Sequence, residues 1–360
     1  MKSTVPNRAL PPRRPNLSGA VALAVAILAL GCEIPLRSQA QTLEDASLST
    51  LPAQKQAVRD LRADYRRQQF QRLAHKTDRD NLIAAVLIGM PNESDHQPLD
   101  GRADVADVAQ RLNRAYGDDP LALFALTLAC QVQDQPCAHP EVYDALLRIE
   151  PNNAVHWLML PNGAAPSEAQ LHSAAMAPNA DSHLRDIMRI VRTALADQTA
   201  PAGSAGVDQR ELALLLRRDA IEQVSMPKFG AVVSMCKAAI DQRRADCLEL
   251  GRRLQKDRSG AFLSRMVGSA MLRRLVKGTP EDAAAKQMRR EYAWLSEQLV
   301  ASKVPYTERL QEEVVVYGEW EAWQRAVERL GAARTPPPGW MPKDPQALLL
   351  PEERTPAPVQ

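Results

Sequence analysis

Apolar residues recur along most of this chain at steps of three and four, the spacing of one face of an α-helix. The clearest run is Asp181–Asp197, where Leu184, Ile187, Val191 and Leu195 form one stripe and Arg185, Arg189 and Arg192 point elsewhere. Lys55–Lys76 carries Val58, Leu61, Tyr65 and Leu73 on a looser helical spacing. Glu211–Val224, Phe229–Asp241, Arg244–Lys256, Ser259–Lys277 and Pro280–Ala301 follow with short breaks. Tyr306–Leu330 reads as one long helix, with Val316, Trp320, Trp323, Val327 and Leu330 in register. No stretch alternates with period two for long enough to predict a strand. Breaks fall at Gly89-Met90-Pro91, Pro161-Asn162-Gly163, Pro201–Gly206 and Gly278-Thr279-Pro280, where the backbone cannot continue a helix cheaply. The expected fold is all-α.

The Ala200–Gly206 loop divides the helices into halves at 41–200 and 201–334. Beyond them, Thr335–Gln360 holds eight prolines, a density that forbids a helix and predicts an extended or disordered tail at 335–360. Composition adds to this picture. Four Phe, six Tyr and five Trp must serve 360 residues, so Ala, Leu and Val fill the core, which suits closely packed helices. A net charge of +2 gives no electrostatic footprint for nucleic acid, and no nucleic-acid partner is expected.

Residues 1–40 have the pattern of an export signal. Lys2, Arg8, Arg13 and Arg14 precede an uncharged apolar run, Ala20–Leu30. As a helix that run would extend only about 16 Å, half a bilayer core, which is too short for a permanent span. Two processing patterns compete. Ser38-Gln39-Ala40 presents small residues for cleavage after Ala40. Leu28-Ala29-Leu30-Gly31-Cys32 is similar to a bacterial lipobox, which would make Cys32 a lipid-bearing N-terminus and the only route to the membrane. Without residues 1–40 the chain keeps 40 basic and 42 acidic residues, so its basicity belongs to the leader. Either route predicts an exported bacterial protein, periplasmic or attached to the envelope, with an outer-membrane lipid anchor if Cys32 is modified.

The remaining cysteines form two near pairs, Cys130/Cys137 and Cys236/Cys247, an even count that fits an oxidising compartment. Disulfides are the expected reading, against buried free thiols and, more remotely, zinc. The Cys236–Cys247 bond requires a chain reversal between them, placed by polarity at Gln242–Ala245. One uninterrupted helix would hold the two about 16 Å apart.

Around Glu150-Pro151-Asn152-Asn153-Ala154-Val155-His156-Trp157 the chain resembles the junction between tetratricopeptide repeats. Tyr143, Leu147 and Ile149 stand where that family keeps core residues of its second helix. Weaker echoes lie near Pro120 and Pro178, so the resemblance covers roughly residues 103–197. It implies antiparallel helix hairpins stacked as an α-solenoid, with Trp157 opening a helix.

The search for catalytic chemistry finds no metalloprotease helix, phosphate loop, nucleophile elbow or calcium loop. No catalytic residue, cofactor or metal ligand is predicted. The six histidines are at least eleven residues apart; His156 reads as part of a helix junction, and His172 with His183 is a remote metal pair across a hairpin. Glu312-Glu313 point about 100° apart on a helix, and the basic run Lys55–Arg79 is interleaved with acids, so both read as solvated faces. The function expected is a non-catalytic helical scaffold of the cell envelope that binds a protein or peptide partner. The alternative is an envelope enzyme, for instance one acting on cell-wall material, whose site is assembled from distant residues.

Overall fold

The computed structural model describes residues 52–90, 102–132, 139–196, 209–222, 224, 226–301 and 307–354. The leader, including Cys32 and Ala40, lies outside the described residues. So do the expected seam at 200–206 and residues 355–360.

Among the described residues the chain is all-helical, with fourteen α-helices and no strand. In chain order they are α1 (Pro52–Ala74), α2 (Arg79–Gly89), α3 (Arg102–Tyr116), α4 (Pro120–Val132), α5 (Glu141–Ile149), α6 (Glu168–Met176) and α7 (Leu184–Ala194). Then come α8 (Gln209–Glu222), α9 (Gly230–Lys237), α10 (Asp241–Gln255), α11 (Phe262–Leu275), α12 (Pro280–Ala301), α13 (Glu308–Tyr317) and α14 (Glu319–Arg329).

Two helices lack a polar face and sit at the centre of their surroundings. In α2 every residue from Leu82 to Gly89 is buried, and α1, α3, α4 and α7 pack around it. In α11 the run Met266–Arg273 is buried and is covered by α10, α12 and α9. A helix apolar on all sides needs such a jacket, and it gives no 3.6-residue stripe to read in the sequence. The main core runs without a break from Tyr65 to Ala326, because α6 packs on α10 and α7 on α13. Phe262, Leu295, Trp320 and Val327 form a second, smaller cluster.

Three expectations change. Tyr306–Leu330 is two helices, divided at Gly318 (φ 83°). A side chain there would meet the Ser259 carbonyl oxygen at 2.5 Å, and Trp320 N donates to Gly260 O, so this break is built to pass the 256–261 loop. The reversal before Cys247 falls at Ala238–Ile240, with Asp241 (φ 49°) opening α10. Gln242–Ala245 is the exposed first turn of α10; its polarity marked a solvent face and not a loop. The Pro-rich tail is not disordered over 335–354. It lies along α11 and α12, because arginines there donate to carbonyl oxygens of the tail. Arg290 donates to Pro337 O and Trp340 O, Arg273 to Leu348 O, and Arg289 to Leu349 O. Arg274 holds Glu352 through two bonds, and Trp340 meets Trp294 edge-on.

Cys236 and Cys247 are bonded, joining α9 to α10 with their Cα atoms 5.7 Å apart. Cys130 is also disulfide-bonded, while Cys137 lies outside the described residues. A crosslink between residues eleven apart removes unfolded-state entropy worth about 2–3 kcal/mol. Replacing Cys236 and Cys247 together by Ser is therefore expected to lower the unfolding free energy by about that amount in urea melts. An unchanged midpoint would show that the bond does not form in solution.

Candidate functional site

The junction after α5 is the place where polar chemistry collects inside the molecule. Pro151 ends α5, and Asn153 then folds the chain back on itself through its own side chain. Asn153 Oδ1 accepts from Val155 N (3.2 Å) and from Asp181 N (3.0 Å), and Asn153 Nδ2 donates to Asp181 O (2.9 Å). Backbone bonds from Ala154 N to Asn179 O and from Asn179 N to Asn152 O tie the 178–183 loop alongside. Residues 27 apart in sequence are thereby held in one pocket.

That pocket brings together Glu150, His156 and His183, whose donor atoms all lie within 4.8 Å of one another. His156 is fully buried and His183 nearly so, while the Glu150 side chain is 31% exposed. His183 Nε2 stands 3.2 Å from His156 Nε2 and 3.3 Å from Glu150 Oε2, and His156 Nδ1 is 3.5 Å from the same oxygen. The imidazoles stack with centroids 5.3 Å apart, and Phe124 from α4 meets His183 edge-on at 4.8 Å. His183 takes left-handed backbone (φ 50°, ψ 18°), uncommon for a residue with a side chain, and its N–H donates to Asp181 Oδ1 at 2.8 Å.

Hydrogen bonding assigns the protons. Both lone pairs of Asn153 Oδ1 are occupied, so its NH₂ must face His156 Nε2 at 3.0 Å. His156 is thus the neutral tautomer with its proton on Nδ1, and burial together with the neighbouring His183 charge holds its pKa far below the ordinary value. For His183, burial works against the charge but is outweighed by Asp186 and Glu150, and its pKa is pushed up to about 9. The hydrogen bond from His183 holds the Glu150 carboxyl below the usual range. The resting arrangement is an imidazolium between a carboxylate and a neutral imidazole.

A second buried chain supports the same loop. Ser182 Oγ donates to Ser259 Oγ (2.7 Å), and Ser259 Oγ donates to Asp257 Oδ1. Burial raises the Asp257 pKa. All three side chains are shut from solvent, and they fix Ser182 next to His183.

The other sequence candidates separate. His172 faces Asp246 Oδ1 of α10 at 3.0 Å, so His183 meets His156 instead. Trp157 is the middle residue of a single 3₁₀ turn, His156–Leu158, and opens no α-helix. Glu312 pairs with Arg192 and Glu313 with Arg329, on different neighbours. The basic run of α1 is largely engaged within the fold: Arg62 pairs with Asp219, Arg66 donates to Ile88 O and Met90 O, and Arg72 donates to Ala194 O. No helix among the described residues is long and apolar enough to cross a membrane.

No family model, curated protein or solved structure matches the chain.

A concavity of about 270 Å³ lies between α10 and the loop Pro178–Ala180, lined by Arg252, Arg253, Lys256, Arg258 and the single acid Glu249. Arg252 is paired with Glu281 of α12, and Arg253 with Glu249. Lys256 and Arg258 are exposed and have no ion pair among the described residues. Sequence reasoning missed this cleft because three of its eight lining residues, Pro178, Asn179 and Ala180, come from a loop some seventy residues away.

Proposed function

We propose that the protein is an exported helical scaffold of the bacterial cell envelope that holds an acidic segment of a protein partner without transforming it. The observation that carries this reading is the basic cleft beside α10, where exposed Lys256 and Arg258 add to the partly paired Arg252 and Arg253. Arginine suits such a role because its planar fork grips carboxylates through two bonds and its stem covers apolar surface. Stacked helices, in the manner of the repeat family resembled near Pro151, would supply the rigid support. Export is supported by the basic-then-apolar leader and by the Cys236–Cys247 bond, which persists in an oxidising compartment. A second reading, an envelope enzyme, draws support from the Glu150–His156–His183 cluster alone.

The test is a fluorescence-anisotropy titration of the protein with a labelled glutamate-rich peptide. Binding is expected to weaken with salt, and the double variant Lys256→Glu, Arg258→Glu is expected to lose at least about tenfold in affinity, or 1.4 kcal/mol. Because neither side chain has an ion pair among the described residues, the variant should melt like the wild type. Equal affinity of the variant and the wild type would overturn the assignment of the cleft.

A further inference from the structure

The geometry points to a divalent transition-metal site, of the kind that takes Zn²⁺, formed by His156, His183 and Glu150. Zinc bonds nitrogen and carboxylate oxygen at about 2.0–2.2 Å, so two donors at the tetrahedral angle stand about 3.3–3.5 Å apart. The His183 Nε2 to His156 Nε2 separation is 3.2 Å and that from His183 Nε2 to Glu150 Oε2 is 3.3 Å. Two imidazoles and a carboxylate whose donor atoms lie within 4.8 Å of one another offer three ligands of the types zinc prefers, and leave a fourth position.

Independent features agree. His156 Nδ1 is buried, 3.5 Å from Glu150 Oε2 and facing the Glu150 backbone. A buried imidazole normally has both nitrogens satisfied. When Nε2 ligates an ion, the opposite N–H is commonly taken by a carboxylate or a backbone carbonyl, and for His156 that partner is the Glu150 backbone. His183 Nδ1 likewise has Asp186 Oδ2 at 3.9 Å, the outer-shell carboxylate such a ligand uses. The left-handed backbone of His183 places its ring in the cluster at a conformational cost that a loop without a task would avoid. Glu150, the one partly exposed member, gives the ion a way in.

Binding balances as an exchange. The ion displaces the Nε2 proton of His183 to solvent and takes the Nε2 lone pair of His156, which in its absence accepts from Asn153 Nδ2. The freed amide hydrogen can pass to the Glu150 carboxylate, with which Asn153 already interacts. This site lies inside the 150–183 junction and does not depend on the cleft reading.

The experiment uses tag-free mature protein stripped with chelator, reloaded and dialysed. One equivalent of Zn²⁺ by native mass spectrometry is expected. Co²⁺ in its place should give the intense visible d–d bands of a four-coordinate site. Glu150→Gln and His183→Asn, each checked for native circular dichroism, should weaken Zn²⁺ binding by more than about 100-fold, and Asp186→Asn by about 10–100-fold. His172→Ala should leave binding unchanged. Wild-type protein that retains no stoichiometric Zn²⁺, or folded Glu150→Gln and His183→Asn variants that bind it as tightly as wild type, would overturn the site.

Discussion

Gly268→Ala is expected to destabilise the protein by about 2–3 kcal/mol, although alanine is the better helix former by about 1 kcal/mol. Gly268 lies in the middle of α11 where it crosses α10. A Cβ there would meet the backbone of the neighbour, Gln255 N and Gly251 O, each at 2.5 Å. Gly251 on the opposite helix makes a looser contact, 3.3 Å to Met271 Cβ and Leu272 Cδ2. Two glycines therefore let the most heavily packed helix pair approach backbone to backbone. Backbone cannot swing aside as a side-chain tip can, so the helices must separate and thin the packing on both sides of the crossing. Gly230→Ala at the start of α9 is the control: its added carbon meets nothing within 4 Å, and its stability should equal or slightly exceed the wild type. Urea unfolding of the two variants decides the matter. A Gly268→Ala protein as stable as Gly230→Ala would mean that α10 and α11 do not cross as described.

The second large effect concerns pH. His183 is charged in the fold with its pKa pushed up to about 9, against an ordinary value near 6.5. A raised folded pKa contributes stability that is fully present below the ordinary value and is lost as pH rises through the folded one. Metal-free protein is thus expected to lose about 2–3 kcal/mol between pH 6.5 and 9. His156 has the opposite sign: its lowered pKa contributes stability above about 6.5 that is lost as pH falls. The two together place the optimum near neutrality, with Glu150, Asp181 and Asp186 the charges facing the pair. His183→Asn is the comparator, since asparagine tolerates left-handed backbone and cannot carry the charge. Its unfolding free energy should be flat across the alkaline limb. Parallel profiles for the two proteins would show that His183 is neutral in the native state.

Helix by helix, the sequence determined what depends on neighbours three and four residues away. The stripe in α7, the prolines that open α4 and follow α5, and the lack of period-two alternation together point to the all-α fold seen over the described residues. Cysteine parity and spacing pointed to the Cys236–Cys247 bond, because a reversal within eleven residues is a local event. Polarity misplaced that reversal and joined α13 to α14, since an exposed helical turn and a loop have the same composition. Gly318 is the residue that could have corrected the second reading, but its left-handed turn is needed only because Ser259 lies against it.

Only the tertiary structure could decide the rest. The tail's prolines forbid a helix, yet whether 335–354 packs depends on arginines of α11 and α12 that the tail does not contain. The Glu150–His156–His183 cluster forms because Asn153 ties the 178–183 loop to the α5 junction through long-range hydrogen bonds. Local sequence carries the turn chemistry of Pro151-Asn152-Asn153 and no sign of what that turn will meet. Contacts of this range are selected by how helices pack and by which buried polar groups still need partners, and neither quantity exists until the chain has folded.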